Sequence, residues 1–218
     1  MSSSDTNKTY KNKASRQSKH SQIRSNLRQL RRFLSAEQQS QAAEKLLARI
    51  LQDTDFNKAS NIAFYQAFDG EIDPSPALQA ALKQGKQCFL PIISPSTTAL
   101  SFVQYQSESS LTRNAFGILE PKLYPNNALS SEHIDLIFMP LVAFDLSGNR
   151  LGMGKGYYDR NLAFILKNSS EMSPNSRKVP TLIGLGHECQ RVEQLERAEW
   201  DVPMNKIITD QATYTMAN

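Results

Sequence analysis

Apolar and polar positions alternate with two different periods along this chain. In "QIRSNLRQLRRFL" (22–34), Ile23, Leu27, Leu30 and Leu34 recur at spacings of four, three and four. That period predicts a helix with one apolar face, leaving Arg24, Arg28, Arg31 and Arg32 on its other faces. Ser35 followed by Gln38 forms a capping-box pattern that opens a second helix, "AEQQSQAAEKLLARIL". "ALQAALKQ" predicts another helix, with Gly85 as its stop, and "YYDRNLAFILK" one more. Short apolar runs predict strands at 61–68, 87–93, 134–140 and 179–186, with a more exposed alternating strand at 100–106 and a short one at 206–210. The run "IDLIFMP" is continuously apolar, as in a parallel strand buried on both faces. Strands that alternate with helices predict an α/β domain with a mainly parallel sheet.

Composition modifies this picture at one end. The first twenty residues hold only Met1, Tyr10 and Ala14 from the apolar set, too little to offset the entropy of ordering. Residues 1–21 are therefore read as a disordered basic tail, and 22–218 as a single domain. Charge divides in the same place. Residues 1–32 carry nine basic residues and one acid, +8, whereas the rest carry 16 basic and 20 acidic residues, −4. The body is mildly acidic, so nucleic acid is not an expected partner. No apolar run reaches membrane-spanning length and no signal-peptide pattern opens the chain. Cys88 and Cys189 have no metal-ligand spacing and read as reduced, buried thiols of a cytoplasmic protein.

The densest chemistry lies in "RLGMGKGYYDR" (150–160), where Gly152, Gly154 and Gly156 alternate with Met153 and Lys155. It stands between a buried strand and a helix, where open α/β sheets bind ligands. Glycines allow positive φ and a close approach of the backbone to a ligand. A helix start offers free N–H groups to phosphate, and Arg150 and Lys155 add positive charge. Asp159, one turn into the helix, is placed to bind Mg²⁺. The stretch matches neither common phosphate motif, and motif physics alone supports a phosphate cradle and an ordinary glycine turn equally.

The longer segment "DLIFMPLVAFDLSGNRLGMGKGYYDRNL" (135–162) closely resembles the signature of the 5-formyltetrahydrofolate cyclo-ligase family, also called methenyltetrahydrofolate synthetases. "FDGEID", "GKQCFLPII", "FGILEP" and "EWDVPMNKIITD" are similar to further family segments in the same order, so the likeness spans about residues 22–210. The resemblance implies a three-layer α/β/α fold with a mainly parallel, Rossmann-like sheet of the CoA-transferase-like kind. It implies ATP-dependent cyclisation of 5-formyltetrahydrofolate, with or without a polyglutamate tail, to 5,10-methenyltetrahydrofolate. ADP and phosphate are released through a phosphorylated formyl (iminium phosphate) intermediate. It also implies a monomer using Mg²⁺, with ATP as co-substrate.

The same resemblance distributes roles over the residues. Arg150, Lys155 and Tyr157 would be catalytic. ATP would be bound by Arg24, Arg150, Gly152, Met153, Gly154, Lys155, Gly156 and Tyr158. His20 stands where the family carries a lysine, with Lys19 as the alternative cation. Folate would meet Glu71, Gln66, Phe116, Tyr157 and the backbone of Met153–Gly156, with Glu71 accepting from the pterin edge. Asp159 and Asp201 would hold the metal. Leu141 replaces a family glycine after Pro140. The remaining readings are a catalytically degenerate folate or nucleotide binder, a sugar-phosphate isomerase or acyl-transfer enzyme on a similar scaffold, and a nucleic-acid binder driven by the basic N-terminal region.

Overall fold

The computed structural model describes residues 3–93, 100–107, 109–114, 117–121, 128–168 and 179–216. In chain order the elements are α1 (Ser3–Arg32), α2 (Ala36–Gln52), α3 (Thr54–Lys58), β1 (Asn61–Ala63), α4 (Ser75–Lys83), β2 (Gln87–Ile93), β3 (Leu100–Tyr105), β4 (Leu111–Arg113), β5 (Leu119–Pro121), β6 (Ala128–Leu129), β7 (Leu136–Pro140), β8 (Ala143–Phe144), β9 (Arg150–Leu151), α5 (Tyr157–Asn168), β10 (Thr181–Gly186), β11 (Lys206–Thr209) and β12 (Thr213–Thr215). The main sheet runs β12-β11-β10-β7-β1-β2-β3-β6. Its centre, β11-β10-β7-β1-β2, is parallel, and β12, β3 and β6 pair antiparallel at the two edges.

The strand period explains the three layers. Side chains alternate across a sheet. Leu136, Phe138, Ile183 and Leu185 therefore join Leu46, Ile50 and Ala81 of α2 and α4 on one face. Ile137, Met139, Leu182 and Ile207 join Leu162 of α5 on the other. Both faces are covered, which is why β7 reads as an unbroken apolar run. No helix among the described residues is long and apolar enough to cross a membrane.

Several expectations are met in detail. Ser35 and Gln38 form the reciprocal capping box at the start of α2. Gly85 follows α4 with φ +75°, a left-handed stop that costs glycine little. Others need correction. The first strand stops at Ala63; Phe64 keeps one backbone bond to Phe89, and Tyr65, Gln66 and Phe68 beyond it border the cavity described below. Cys88 is buried, but Cys189 is exposed.

Helix α1 departs furthest from expectation. It begins at Ser3, so the helical backbone runs through the segment read as a disordered tail. Lys, Arg and Gln are good helix formers and can extend a helix whose packed part lies further on. From Arg16 onward the side chains also meet the body: Lys19 Nζ lies 2.9 Å from Glu196, and the Arg16 guanidinium lies 5.6 Å from the Trp200 ring centroid. The apolar face is shorter than its period suggests. Leu27, with Ile23 beside it, packs against Val142, Ala143, Leu151 and Leu195. One turn later Leu30, expected on the apolar face, is 50% exposed, and Arg31, expected on a charged face, is fully buried.

Candidate active site

A cavity of about 790 Å³ opens where the parallel strands end, bordered by residues that follow β1 and β7, by the end of β2 and by the start of α5. Nucleotides and similar ligands bind at this edge of α/β sheets because helix starts and loop amides converge there. Backbone and cations dominate one end of the cavity. The other end is built around a buried carboxylate.

The first end is the glycine turn, held at the base of a hairpin. β8 and β9 pair antiparallel through Ala143–Leu151 and Phe144–Arg150. Asp145, 1% exposed, closes the hairpin. Its carboxylate accepts from the backbone N–H groups of Ser147 and Asn149, each at 3.0 Å, and from Leu195 N at 2.8 Å. Asp145 thus fixes where Arg150 and the turn begin, a role missed in the sequence. Gly154 and Gly156 take φ of +92° and +64°, as the alternation suggested, while Gly152 does not. Gly152 instead turns its carbonyl to Arg24, whose Nε donates at 2.8 Å. A side chain at Gly154 would come within 3.4 Å of the same guanidinium. Arg24 thereby ties α1 to the turn.

The cations of the turn differ in availability. Lys155 is exposed and forms no salt bridge among the described residues, although its carbonyl accepts from Arg160 Nη1 at 2.7 Å. Arg150 is nearly buried, and its Nη2 donates to Asp159 Oδ1 at 2.7 Å. Asp159 Oδ1 also receives Val202 N at 3.4 Å, and Asp201 Oδ2 receives Ala198 N at 2.8 Å. Both carboxylates line the cavity. Each keeps one oxygen without a hydrogen bond among the described residues. No cluster of three or more His, Cys, Asp or Glu suited to a metal occurs among those residues. The donor set suits a cation held by one or two carboxylates and completed by phosphate oxygens, the habit of Mg²⁺.

At the other end, Glu71 and Asp69 share arginines from α1. The fully buried Arg31 donates from Nε to the Asp69 carbonyl at 2.8 Å and from Nη1 to the Leu141 carbonyl at 3.2 Å. Its Nη2 reaches Asp69 Oδ2 at 3.2 Å and Glu71 Oε1 at 3.5 Å. Arg28 Nε binds Asp69 Oδ2 at 2.7 Å, and Arg32 pairs with the same carboxylate. Asp69 has φ +58°, a conformation that Asn and Asp adopt more readily than most non-glycine residues. Burial is the main influence on the Glu71 carboxyl and raises it to about 7, against the opposing pull of Arg31. Burial also raises the phenol of Tyr158, with the Glu71 charge adding to it.

The sequence-predicted residues are mostly brought together. His20, Arg24, Gln66, Glu71, Arg150, Gly152, Met153, Gly154, Lys155, Gly156, Tyr157, Tyr158, Asp159 and Asp201 all border this one cavity. Phe116 lies outside the described residues. Lys19 does not border the cavity and pairs with Glu196 instead, so His20 occupies the cavity position. Burial, then Arg24 and Arg16, hold the His20 pKa below its ordinary value. Tyr157 carries Arg160 over its ring at 5.3 Å, whereas Tyr158 packs against the core. Leu141 fills the space above Gly184 and Gly186, where a Cβ would meet its methyls at 2.4 and 2.5 Å. Arg16, Tyr65 and Trp200 border the cavity without having been singled out.

Known proteins resemble the chain along most of its length. A Haemophilus influenzae protein named 5-formyltetrahydrofolate cyclo-ligase is 40% identical over 191 residues, covering 87% of this chain and 97% of that protein. The Escherichia coli K12 protein of the same name is 36% identical over 184 residues, covering 84% of this chain and 96% of its own length. The NMR structure of Aquifex aeolicus 5,10-methenyltetrahydrofolate synthetase matches with a TM-score of 0.74 at 31% identity, covering 91% of this chain and 93% of that one. With residues 16–210 also matching the profile of the 5-formyltetrahydrofolate cyclo-ligase family, the chain belongs to that family.

Proposed function

We infer that this chain closes 5-formyltetrahydrofolate to 5,10-methenyltetrahydrofolate at the expense of ATP. The observation that carries the reading is the single cavity with a phosphate-suited turn at one end and a buried carboxylate, Glu71, at the other. An N-formyl amide is a poor electrophile, and its oxygen leaves only once activated. The formyl oxygen attacks the γ-phosphorus, the bond to ADP breaks, and the formyl carbon becomes iminium-like. N10 then attacks that carbon, its proton passes to the departing phosphate, and the C–O bond breaks. No covalent bond to the protein is required, so catalysis is alignment and charge neutralisation.

Each side chain has a part in that alignment. Lys155, exposed and in no salt bridge among the described residues, is the cation placed to follow the transferring phosphoryl group, and the amides from Gly152 to Gly156 cradle the phosphates. Arg150 contributes charge while held by Asp159. Arg24 and His20 complete the nucleotide side. On the folate side, Glu71 accepts from the donors of the pterin edge, with Gln66 beside it and Tyr157 at the join of the two substrates. Asp159 and Asp201 would hold Mg²⁺, which supplies charge compensation for the phosphates. The test is an assay of methenyl-folate absorbance with pure protein, 5-formyltetrahydrofolate, ATP and Mg²⁺. Absorbance should grow only when all are present, and a folded protein that gives no growth overturns the reading.

A further inference from the structure

Trp200 stands out among the cavity residues because no step above uses it. It is the chain's only tryptophan, 59% exposed, and it lines the cavity. Arg16 of α1 lies over its ring at 5.6 Å from the centroid. A large aromatic left so open gains little for folding, whereas an aromatic face with a cation beside it suits a flat π-system. Its position relative to the phosphate turn is informative. Arg16 and Arg24 are eight residues apart on α1, about 12 Å along a helix. Arg24 is the residue that grips the glycine turn through the Gly152 carbonyl. His20 lies between them, and Asp201, adjacent to Trp200, borders the cavity as well. Aromatic platform, His20, Arg24 and glycine turn therefore form a row along one helix.

We propose that Trp200, backed by Arg16, is the platform on which the base of the nucleotide stacks, with ribose and phosphates running along α1 to the turn. This rests on the ATP-dependent reading and adds a residue that decides nucleotide affinity. Glu71 and Gln66 belong to the other end of the cavity, so the folate ring system is not the expected occupant. Stacking recognises any base by its face, so the platform favours nucleotides over bare polyphosphate and discriminates weakly between ATP and GTP.

The single tryptophan gives a direct readout. In the full chain, ATP and ADP should each shift or quench Trp200 emission without folate present, and inorganic tripolyphosphate should not. Trp200→Ala should raise KM for ATP about tenfold, equivalent to about 1.4 kcal/mol, with KM for 5-formyltetrahydrofolate unchanged. Trp200→Phe should restore most of the affinity. Calorimetry separates the two ways of failing. If ATP binds but emission and the Trp200→Ala KM do not move, the platform is wrong and the enzyme reading stands. If ATP does not bind at all, both fall. A shift produced by 5-formyltetrahydrofolate alone, with ATP silent, also overturns the platform.

Discussion

The glycine turn and the loop after β1 bring charge to one cavity by opposite means. The turn exposes its chemistry: positive-φ glycines, bare amides and an exposed Lys155. The loop buries its chemistry: Glu71 and Asp69 stand almost out of water, held by Arg31, which is wholly buried. An exposed cation costs the fold little and remains available to a ligand. A buried carboxylate must be paired to be tolerated, so its function and the stability of its surroundings are linked. On the proposed reading, ligand binding and folding separate at the turn and merge at the loop.

The largest effect should come from Arg31→Ala, which would leave two buried carboxylates without their common partner. It should lower stability by about 3–5 kcal/mol, read from the urea midpoint. A shift under about 1 kcal/mol would mean that Arg28 and Arg32 alone hold the loop. Lys155→Ala should do the converse. Turnover should drop about 10²–10³-fold, while the unfolding midpoint stays within about 0.5 kcal/mol of wild type. Lost stability in that variant would break the separation drawn above.

Gly184→Ala probes the wall behind the loop. Its Cβ would press on Leu141, whose carbonyl accepts from Arg31 and, at 2.6 Å, from Gln190. Overpacking of this kind costs about 1–3 kcal/mol, and pairing it with Leu141→Ala or Leu141→Gly should recover part of the loss in a double-mutant cycle. No recovery would mean that the strain sits elsewhere.

The most local effect is a proton. Glu71 is raised from its ordinary 4.5 to about 7, so between those values the folded protein keeps a proton the unfolded chain has released. Its contribution to stability is full below about pH 4.5 and is lost as pH rises to about 7, at up to about 1.4 kcal/mol per pH unit. His20 and His187, depressed mainly by burial, slope the other way below their ordinary 6.5. Asp69, held low by Arg28 and Arg32 despite its burial, acts only below its ordinary 3.8. The difference between wild-type and Glu71→Gln stability profiles isolates the Glu71 part. A flat difference from pH 4.5 to 7 would show that Arg31 keeps this carboxylate charged throughout.

Legibility followed the same division. The backbone of the glycine turn was readable because its requirements are local: glycine at positive φ, a cation beside it and a helix start all lie within residues 150–160. The parallel core was readable because β7 and β10 are apolar on both faces. Arg31 was not readable. By period it belongs among the charged faces of α1, and only the passage of the helix over Asp69 makes it a core residue. Asp145 looked like one letter of a motif, although its work is to receive N–H groups from its own hairpin and from Leu195.

By itself, then, the sequence determined what depends on neighbours along the chain: the alternation of strand and helix, the cap at Ser35, the bare turn and the kinship carried by that turn. Only the tertiary structure decided what depends on neighbours across space. It buried Arg31 and left Leu30 exposed, sent Lys19 to Glu196 and His20 to the cavity, and set Trp200 beside Arg16. The physical reason is that backbone conformation follows from a few consecutive residues, whereas the burial and pairing of a charge follow from which distant segment packs against it.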